Sequence, residues 1–132
     1  MARKIFDTSA LIQHWHDCGG RSSAGKTPED AADWARRLIA VHDTDAIVTP
    51  VFVEFVAGVT HSAELELARS FLKQFRLLDE GRITPEDWDE TRRLAQRIPT
   101  NGKPRQLGDC LIAAIGKRLH YEVIRFDKGF PR

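Results

Sequence analysis

Four short apolar runs, separated by segments with helical patterning, constrain the fold of this chain more than any other feature. The runs are Lys4–Phe6, Ala46–Thr49, Phe75–Leu78 and Tyr121–Ile124. Parallel strands need long crossover connections, usually helices, and the intervening segments are long enough to supply them. We therefore predict an α/β fold of three layers, α/β/α, in which helices cover a central parallel sheet of four to five strands.

Two of the helices have strong start signals. Thr27-Pro28-Glu29-Asp30 and Thr84-Pro85-Glu86-Asp87 each offer a capping threonine, a proline at the first helical position and an acid at the third. The first helix is predicted to carry Ala31, Trp34, Leu38 and Val41 on one face. The second continues through Trp88, Leu94, Ala95 and Ile98. The shared cap does not indicate a repeat, because the sequences diverge after it.

Length and charge narrow the possible functions. The 132 residues fit one domain, residues 1–132, with a core of its own. Twenty Lys and Arg residues against nineteen Asp and Glu residues give a net charge of +1. The chain as a whole is therefore not attracted to nucleic acid by its net charge, and any contact with a polyanion must come from local patches.

The cysteines and the N-terminus indicate where the protein works. Cys18 and Cys110 are far apart and have no Cys/His spacing typical of zinc, so we predict free thiols in a reducing compartment. The chain reaches Asp7 within seven residues, which leaves no room for the apolar stretch of a signal peptide or a membrane span. We expect a soluble, cytoplasmic protein that does not enter the membrane.

Two isolated acids follow apolar strands. Asp7 comes directly after the first run, and Thr8 or Ser9 then offers a capping hydroxyl for a helix. Asp127 follows the last run in the same way. Such positions lie at the carboxyl edge of a parallel sheet, where ligands bind in α/β folds. The ordinary alternative for Asp7 is a helix N-cap.

A third acid stands alone in an apolar helix. Glu54 is the only charged residue between Asp45 and His61. A lone carboxylate in such a run is costly to bury unless it is paired or bound to a cation. The alternative is a narrow stripe of the helix that faces solvent.

The fourth acid, Asp109, lies in the first turn of a helix that opens at Gln106. Leu107, Leu111 and Ile115 recur at helical spacing, so most of this helix should face the core. An acid in this turn is ordinarily explained by the helix dipole, which stabilises it by roughly 0.3–1 kcal/mol.

Four acids converging on one crevice would need a cation. Two carboxylates about 4 Å apart repel by roughly 4 kcal/mol at an effective dielectric constant of 20. Carboxylates without histidine or thiolate suit Mg²⁺ or Mn²⁺, which take further ligands from phosphate oxygens. The chemistry predicted is phosphoryl transfer to water. Phosphates could be held by Lys103, Arg105, Lys117 and Arg118, although we expect at least two of these to be ordinary surface residues.

The acids lie in short motifs that resemble those of PIN-domain nucleases. Ile5–Ile12 resembles the family's opening motif, Glu54 its second acidic position, Gly108–Ala114 its third and Ile124–Phe130 its last. The resemblance spans almost the whole chain. Each motif is short, and their specificity comes from finding all four in order at plausible spacing.

The size and motif order are similar to those of VapC-like toxins of toxin–antitoxin pairs. The resemblance implies Mg²⁺-dependent cleavage of RNA and neutralisation by a small cognate antitoxin. It also implies that Asp7 and Asp109 are the principal metal ligands, that Glu54 and Asp127 complete the pocket, and that Ser9 fixes the first acid by a hydrogen bond. We further expect the subunits to pair as a homodimer.

One departure and three alternatives accompany this hypothesis. The family commonly has Thr or Ser two residues before the last acid and often a second acid two residues after it, where this chain has Arg125 and Gly129. Arg125 could direct its charge toward phosphate or toward Asp127. The alternatives are a PIN-fold nuclease that is not a toxin, a phosphohydrolase with Asp7 as nucleophile, and a non-catalytic RNA- or protein-binding module. The second lacks the usual acid two residues after Asp7, and the third has no need of repelling carboxylates.

Overall fold

The computed structural model describes residues 2–126, which form a parallel sheet flanked by helices. In chain order the elements are β1 Lys4–Phe6, α1 Thr8–Asp17, α2 Pro28–His42, β2 Ala46–Ile47, α3 Thr49–Ala57, α4 Ser62–Leu72, β3 Arg76–Leu77, α5 Pro85–Ala95, α6 Leu107–Leu119 and β4 Glu122–Ile124. The sheet has four strands in the order β3-β2-β1-β4, all parallel. This architecture confirms the predicted three-layer α/β/α class.

The first strand is central because the last strand of the described region pairs with it. Ile5 lies opposite Ala46 on β2 and opposite Val123 on β4, and it is fully buried. The Asp7 amide donates to the Ile124 carbonyl at 2.8 Å, which extends the pairing one residue past β1. Asp7 is thereby fixed at the carboxyl edge of the sheet, next to the end of β4.

Both predicted capping boxes are present. The Thr27 hydroxyl accepts from the Asp30 amide and the Thr27 amide donates to the Asp30 carboxylate, at 3.1 and 2.9 Å. Thr84 and Asp87 repeat the pattern at the start of α5 with the same two distances. These reciprocal bonds satisfy amides that a helix start otherwise leaves without partners, so the two helices begin where the sequence indicates.

An aromatic cluster fixes the helices that approach the site. Trp15 of α1 lies 5.4 Å from Phe55 of α3 and 5.1 Å from Phe71 of α4, between ring centroids. The indole of Trp15 also donates to the buried Glu64 carboxylate at 2.9 Å. Phe55 is buried in the core, and its neighbour Glu54 lies on the side of α3 that is exposed to solvent.

Three apolar side chains from the predicted helical patterns are exposed to solvent. Val41, in the last turn of α2, is 77% exposed, and Ile98 lies past the end of α5 at 89%. Leu107 at the start of α6 is 66% exposed, although Leu111 and Ile115 are buried as predicted. Helical spacing selects a face, but it does not show where the neighbouring element stops covering that face. Within residues 2–126, none of the helices has both the length and the apolar character needed to cross a bilayer.

Candidate active site at the carboxyl edge of the sheet

Asp7 is a buried carboxylate that does not cap a helix. It occupies the N-cap position of α1, but its side chain makes no capping hydrogen bond, and only 2% of the residue is exposed. The predicted cap by Thr8 or Ser9 is wrong, because α1 already begins at Thr8. The Ser9 hydroxyl instead donates to Asp7 Oδ2 at 2.8 Å and accepts from the Phe126 amide at 3.2 Å. Ser9 thus ties Asp7 to the chain that follows β4.

The second oxygen of Asp7 carries the strongest chemical signal in this region. Oδ1 is buried and meets no hydrogen-bond donor within residues 2–126. A buried acceptor left without a partner costs roughly 1–3 kcal/mol, and more when it is charged. Such a group is tolerated where a bound ion or ligand supplies the missing interaction. A hard cation fits this oxygen, since carboxylates are the ligands that Mg²⁺ and Mn²⁺ prefer.

Glu54 lies between the starts of two helices. The Thr8 hydroxyl donates to Glu54 Oε1 at 2.5 Å. On the other side, Gly108 approaches so closely that a Cβ there would lie 2.1 Å from Glu54 Oε2. The Glu54 carboxylate therefore sits against the residue after Asp7 and the residue before Asp109. These contacts link three of the four predicted acids through their immediate neighbours.

Asp109 lies in the first turn of α6, as predicted, and is half-buried. It borders a cavity of about 180 Å³ whose walls also include Lys103, Arg105 and Arg125. The predicted basic loop before α6 is thus next to Asp109 in space. Of its members, Arg105 donates from Nε to the Arg97 carbonyl at 3.0 Å. The cavity combines one carboxylate with three cationic side chains, which suits an anionic ligand beside a metal.

The other two basic candidates are held by ion pairs with α5. Arg118 Nε lies 2.7 Å from Asp87 Oδ1, and a second guanidinium nitrogen lies 3.0 Å from Asp87 Oδ2. Lys117 Nζ lies 3.3 Å from Glu90 Oε2. These residues connect α6 to α5, and they do not line the Asp109 cavity.

The described residues do not form a finished metal site. Within residues 2–126, no three His, Cys, Asp or Glu side chains come close enough together to bind one ion. Asp127, the fourth predicted acid, lies outside the described residues, as does Gly129. The convergence of Asp7, Glu54, Asp109 and Asp127 on one ion therefore stays a prediction. What the structure shows is the position of the first three at one edge of the sheet.

Sequence reasoning missed the roles of two neighbours of the acids. The sequence predicts Thr8 as a possible helix cap, yet its hydroxyl donates a hydrogen bond to Glu54. Gly108 lies in the first turn of α6, where alanine would favour the helix, and its lack of a side chain makes room for Glu54. A glycine in the first turn of a helix is the feature of the sequence that could have indicated this role. It does not show which side chain occupies the space that the glycine leaves.

In a three-layer α/β/α fold, ligands bind at the carboxyl edge of the sheet. Carboxylates at that edge suit an enzyme that acts on phosphate esters with a metal ion. Comparison with models of protein families identifies the family. The model of the PIN domain matches residues 4–132, so the chain belongs to the PIN domain family. PIN domains are generally metal-dependent nucleases, and they typically use divalent ions such as Mg²⁺. Searches of curated proteins and of solved structures found no match.

Proposed function

We propose that this protein is an endoribonuclease that uses Mg²⁺ or Mn²⁺ to hydrolyse RNA and that acts as the toxin of a toxin–antitoxin pair. The observation that carries the nuclease part is the buried Asp7 carboxylate, whose Oδ1 meets no donor within residues 2–126. A binding module would gain nothing from this cost, and the family's general activity supplies a use for it.

The proposal assigns a role to each residue of the site. Asp7 and Asp109 are the principal metal ligands, and Glu54 and Asp127 complete the pocket. Ser9 holds Asp7 Oδ2 in place through its 2.8 Å hydrogen bond. When bound, the ion supplies charge neutralisation and makes water a stronger nucleophile at neutral pH.

The basic side chains hold the substrate in the proposed reaction. Lys103, Arg105 and Arg125 border the same cavity as Asp109, so they can bind phosphates on either side of the scissile bond. Hydrolysis forms a bond from the water oxygen to phosphorus and breaks one phosphorus–oxygen ester bond. The leaving oxygen takes up a proton, and the products are a phosphate monoester and a hydroxyl end.

The nuclease proposal is tested by RNA cleavage with purified protein. Wild type should cut single-stranded RNA in Mg²⁺ buffer and stop when EDTA is added. Asp109→Asn should abolish cleavage, whereas Asp33→Asn should not, because Asp33 pairs with Arg36 on the surface of α2. Cleavage that continues in EDTA, or in Asp109→Asn, would refute the metal mechanism.

The toxin role is supported by the similarity in size and motif order to VapC-like proteins. Expression of wild type should arrest bacterial growth, while expression of Asp109→Asn should not. A small protein encoded beside this chain should relieve the arrest by binding it. If active enzyme is harmless in cells, the alternative of a nuclease without a toxin role is favoured.

The proposed assembly is a homodimer that also binds the antitoxin. Sedimentation velocity of the purified protein measures the first part directly. A monomer at all concentrations tested would refute the dimer and leave the nuclease proposal unaffected.

A further inference from the structure

An apolar groove of about 430 Å³ adjoins the acidic edge of the sheet. We call it the Trp88 groove, and its apolar walls are Val53 of α3, Ile83 and Trp88 at the start of α5, and Leu107 of α6. Its volume lies in the range of about 300–1,000 Å³ that is typical of ligand sites. The catalytic roles proposed above do not use any of these four side chains.

The walls of the groove are unusually open to solvent. Leu107 is 66% exposed, Val53 55% and Trp88 43%. Ile83 and Trp88 occupy the two positions of a hydrophobic staple around the Thr84 capping box. The staple explains why an apolar residue stands at position 88, but it does not explain why the indole is exposed to solvent. These side chains line one groove together, so they offer a shared apolar surface that a ligand could cover.

The groove is continuous with the candidate active site. Glu54 forms part of its wall, and Gly108, which touches Glu54, forms another part. Gln106 borders both the Trp88 groove and the basic cavity that contains Asp109. One side of the α6 start therefore offers cations for phosphate, and the other offers an apolar slot. A nucleotide chain presents the same alternation, with a charged backbone beside flat, weakly polar bases.

The backbone that carries the aromatic wall is held in place by its neighbours. The preceding residue, Asp87, is fully buried and is fixed by Arg118 and by the Thr84 amide. A positioned indole stacks on a base of any sequence, because every base has a π face. Gln106, at the polar edge of the groove, carries an amide that can both donate hydrogen bonds to the rim of that base and accept hydrogen bonds from it.

We propose that the Trp88 groove binds one unpaired nucleobase of the RNA, next to the phosphate held by the basic cavity. This inference rests on the proposed ribonuclease function and names the form of its substrate, a single strand with an exposed base. Trp88 is the stacking residue, and Leu107 and Val53 close the slot around the base.

The test pairs a change in the protein with a change in the RNA. The probes are a six-nucleotide single-stranded RNA and the same RNA with one base removed at each position in turn. Binding is measured in Ca²⁺ buffer, in which the carboxylates are neutralised by an oxygen-liganded ion, and gels check that the RNA stays intact. The affinity of every variant is measured by the anisotropy of a fluorophore on the RNA. In wild type, binding should also change the emission of Trp88, which is 43% exposed while Trp15 and Trp34 are buried at 3% and 7%.

Three variants separate stacking from other effects. Trp88→Leu should weaken binding of the full RNA by roughly fivefold to a hundredfold, the range for loss of one stacked base. Trp88→Phe keeps a π face and should retain most of the affinity. Val41→Ala removes an exposed apolar group outside the groove and should change nothing. For one position of the missing base, wild type and Trp88→Leu should bind equally.

The contrary outcomes are distinct. Equal weakening by Trp88→Leu for every probe, or unchanged binding, would overturn the base subsite. If the variant binds RNA like wild type but sediments as a smaller species, the groove is a contact between subunits and not an RNA site. If wild type and Trp88→Leu cleave RNA equally well, the base subsite is refuted and the ribonuclease proposal is supported. If RNA binding depends on Trp88 but the protein does not cleave RNA, the base subsite is supported and the ribonuclease proposal is refuted.

Discussion

Asp7 and Asp87 are both buried aspartates at helix starts, with 2% and 1% of each residue exposed, yet their surroundings are opposite. Asp87 accepts two hydrogen bonds from Arg118 and one from the Thr84 amide. Asp7 accepts from the Ser9 hydroxyl on one oxygen, and its other oxygen meets no donor in residues 2–126. Burial alone therefore does not separate a structural acid from a functional one.

The difference lies in whether the protein itself satisfies the charge. Burial acts to raise the pKa of Asp87, but the hydrogen bonds from Arg118 and Thr84 and the Arg118 charge outweigh it, so the pKa lies below its ordinary value of 3.8. The fold needs this ion pair to join α5 to α6. At Asp7 one oxygen has no donor within residues 2–126, which suits it to a bound cation.

Exchanging each aspartate for asparagine should separate the two roles. Asp7→Asn should lower kcat/KM for RNA by more than about 100-fold, since even the outer partners of metal ligands contribute 10–100-fold. Its free energy of unfolding without metal should stay within about 1 kcal/mol of wild type, because an uncompensated charge is removed. Steady-state cleavage and urea denaturation measure the two quantities.

The matched variant, Asp87→Asn, should show the opposite result. It should lose roughly 1.5–3 kcal/mol of stability with the charged hydrogen bonds, while the activity of the remaining folded protein is unchanged. If Asp87→Asn abolished activity in protein that is still folded, the assignment of the two aspartates would be wrong.

Removing the cation from the buried pair should be more damaging to the fold than removing the acid's charge. Arg118→Met leaves Asp87 ionised and buried, so the free energy of unfolding should fall by about 3 kcal/mol. Arg93→Met is the control, because Arg93 is about half exposed in its pair with Glu90, and the loss of a pair at the surface should lower stability much less. Similar losses in the two variants would contradict the special role of the buried pair.

A methyl group at Gly108 should disturb the site without weakening the fold. The new Cβ of Gly108→Ala would overlap Glu54 Oε2, which lies at the end of a flexible side chain and can move away. We expect a loss of activity of roughly tenfold, while stability is unchanged or rises by up to about 1 kcal/mol from the better helix former. Gly58→Ala is the control, since its nearest neighbours would lie 3.6 Å from the new Cβ. Wild-type activity in Gly108→Ala would show that the position of Glu54 is unimportant.

Acid should weaken the structural pair through the protonation of Asp87. A carboxyl group whose pKa is lower in the folded state stabilises the protein above its unfolded pKa, and this contribution is lost as the pH falls through the folded pKa. For Asp87 the loss should therefore begin near pH 3.8 and continue below it. Urea midpoints measured between pH 6 and pH 2.5 test this, and the slope below pH 3.8 should be shallower in Asp87→Asn. Equal slopes in the two proteins would contradict the assigned shift.

The sequence predicted the strands and both capping boxes correctly, because these depend on neighbours in the chain, whereas the cap predicted at Thr8 or Ser9 is wrong. β1 matches its predicted bounds, and the capping boxes at Thr27 and Thr84 are as expected. The position of Asp7 at the sheet edge also followed from strand order. Contacts between distant segments could not be read in this way. The bond from Thr8 to Glu54 joins residues 46 positions apart, and the pairing of Asp87 with Arg118 joins residues 31 apart.

The hydrogen bond from the Phe126 amide to the Ser9 hydroxyl spans 117 positions of the chain. Because synthesis runs from the N-terminus, Asp7 is made long before β4 and the Phe126 amide that support it. A ribosome-bound chain that stops before β4 has the aspartate without the strand and the amide that position it. Under the proposed function, such a chain should therefore not yet be able to cleave RNA.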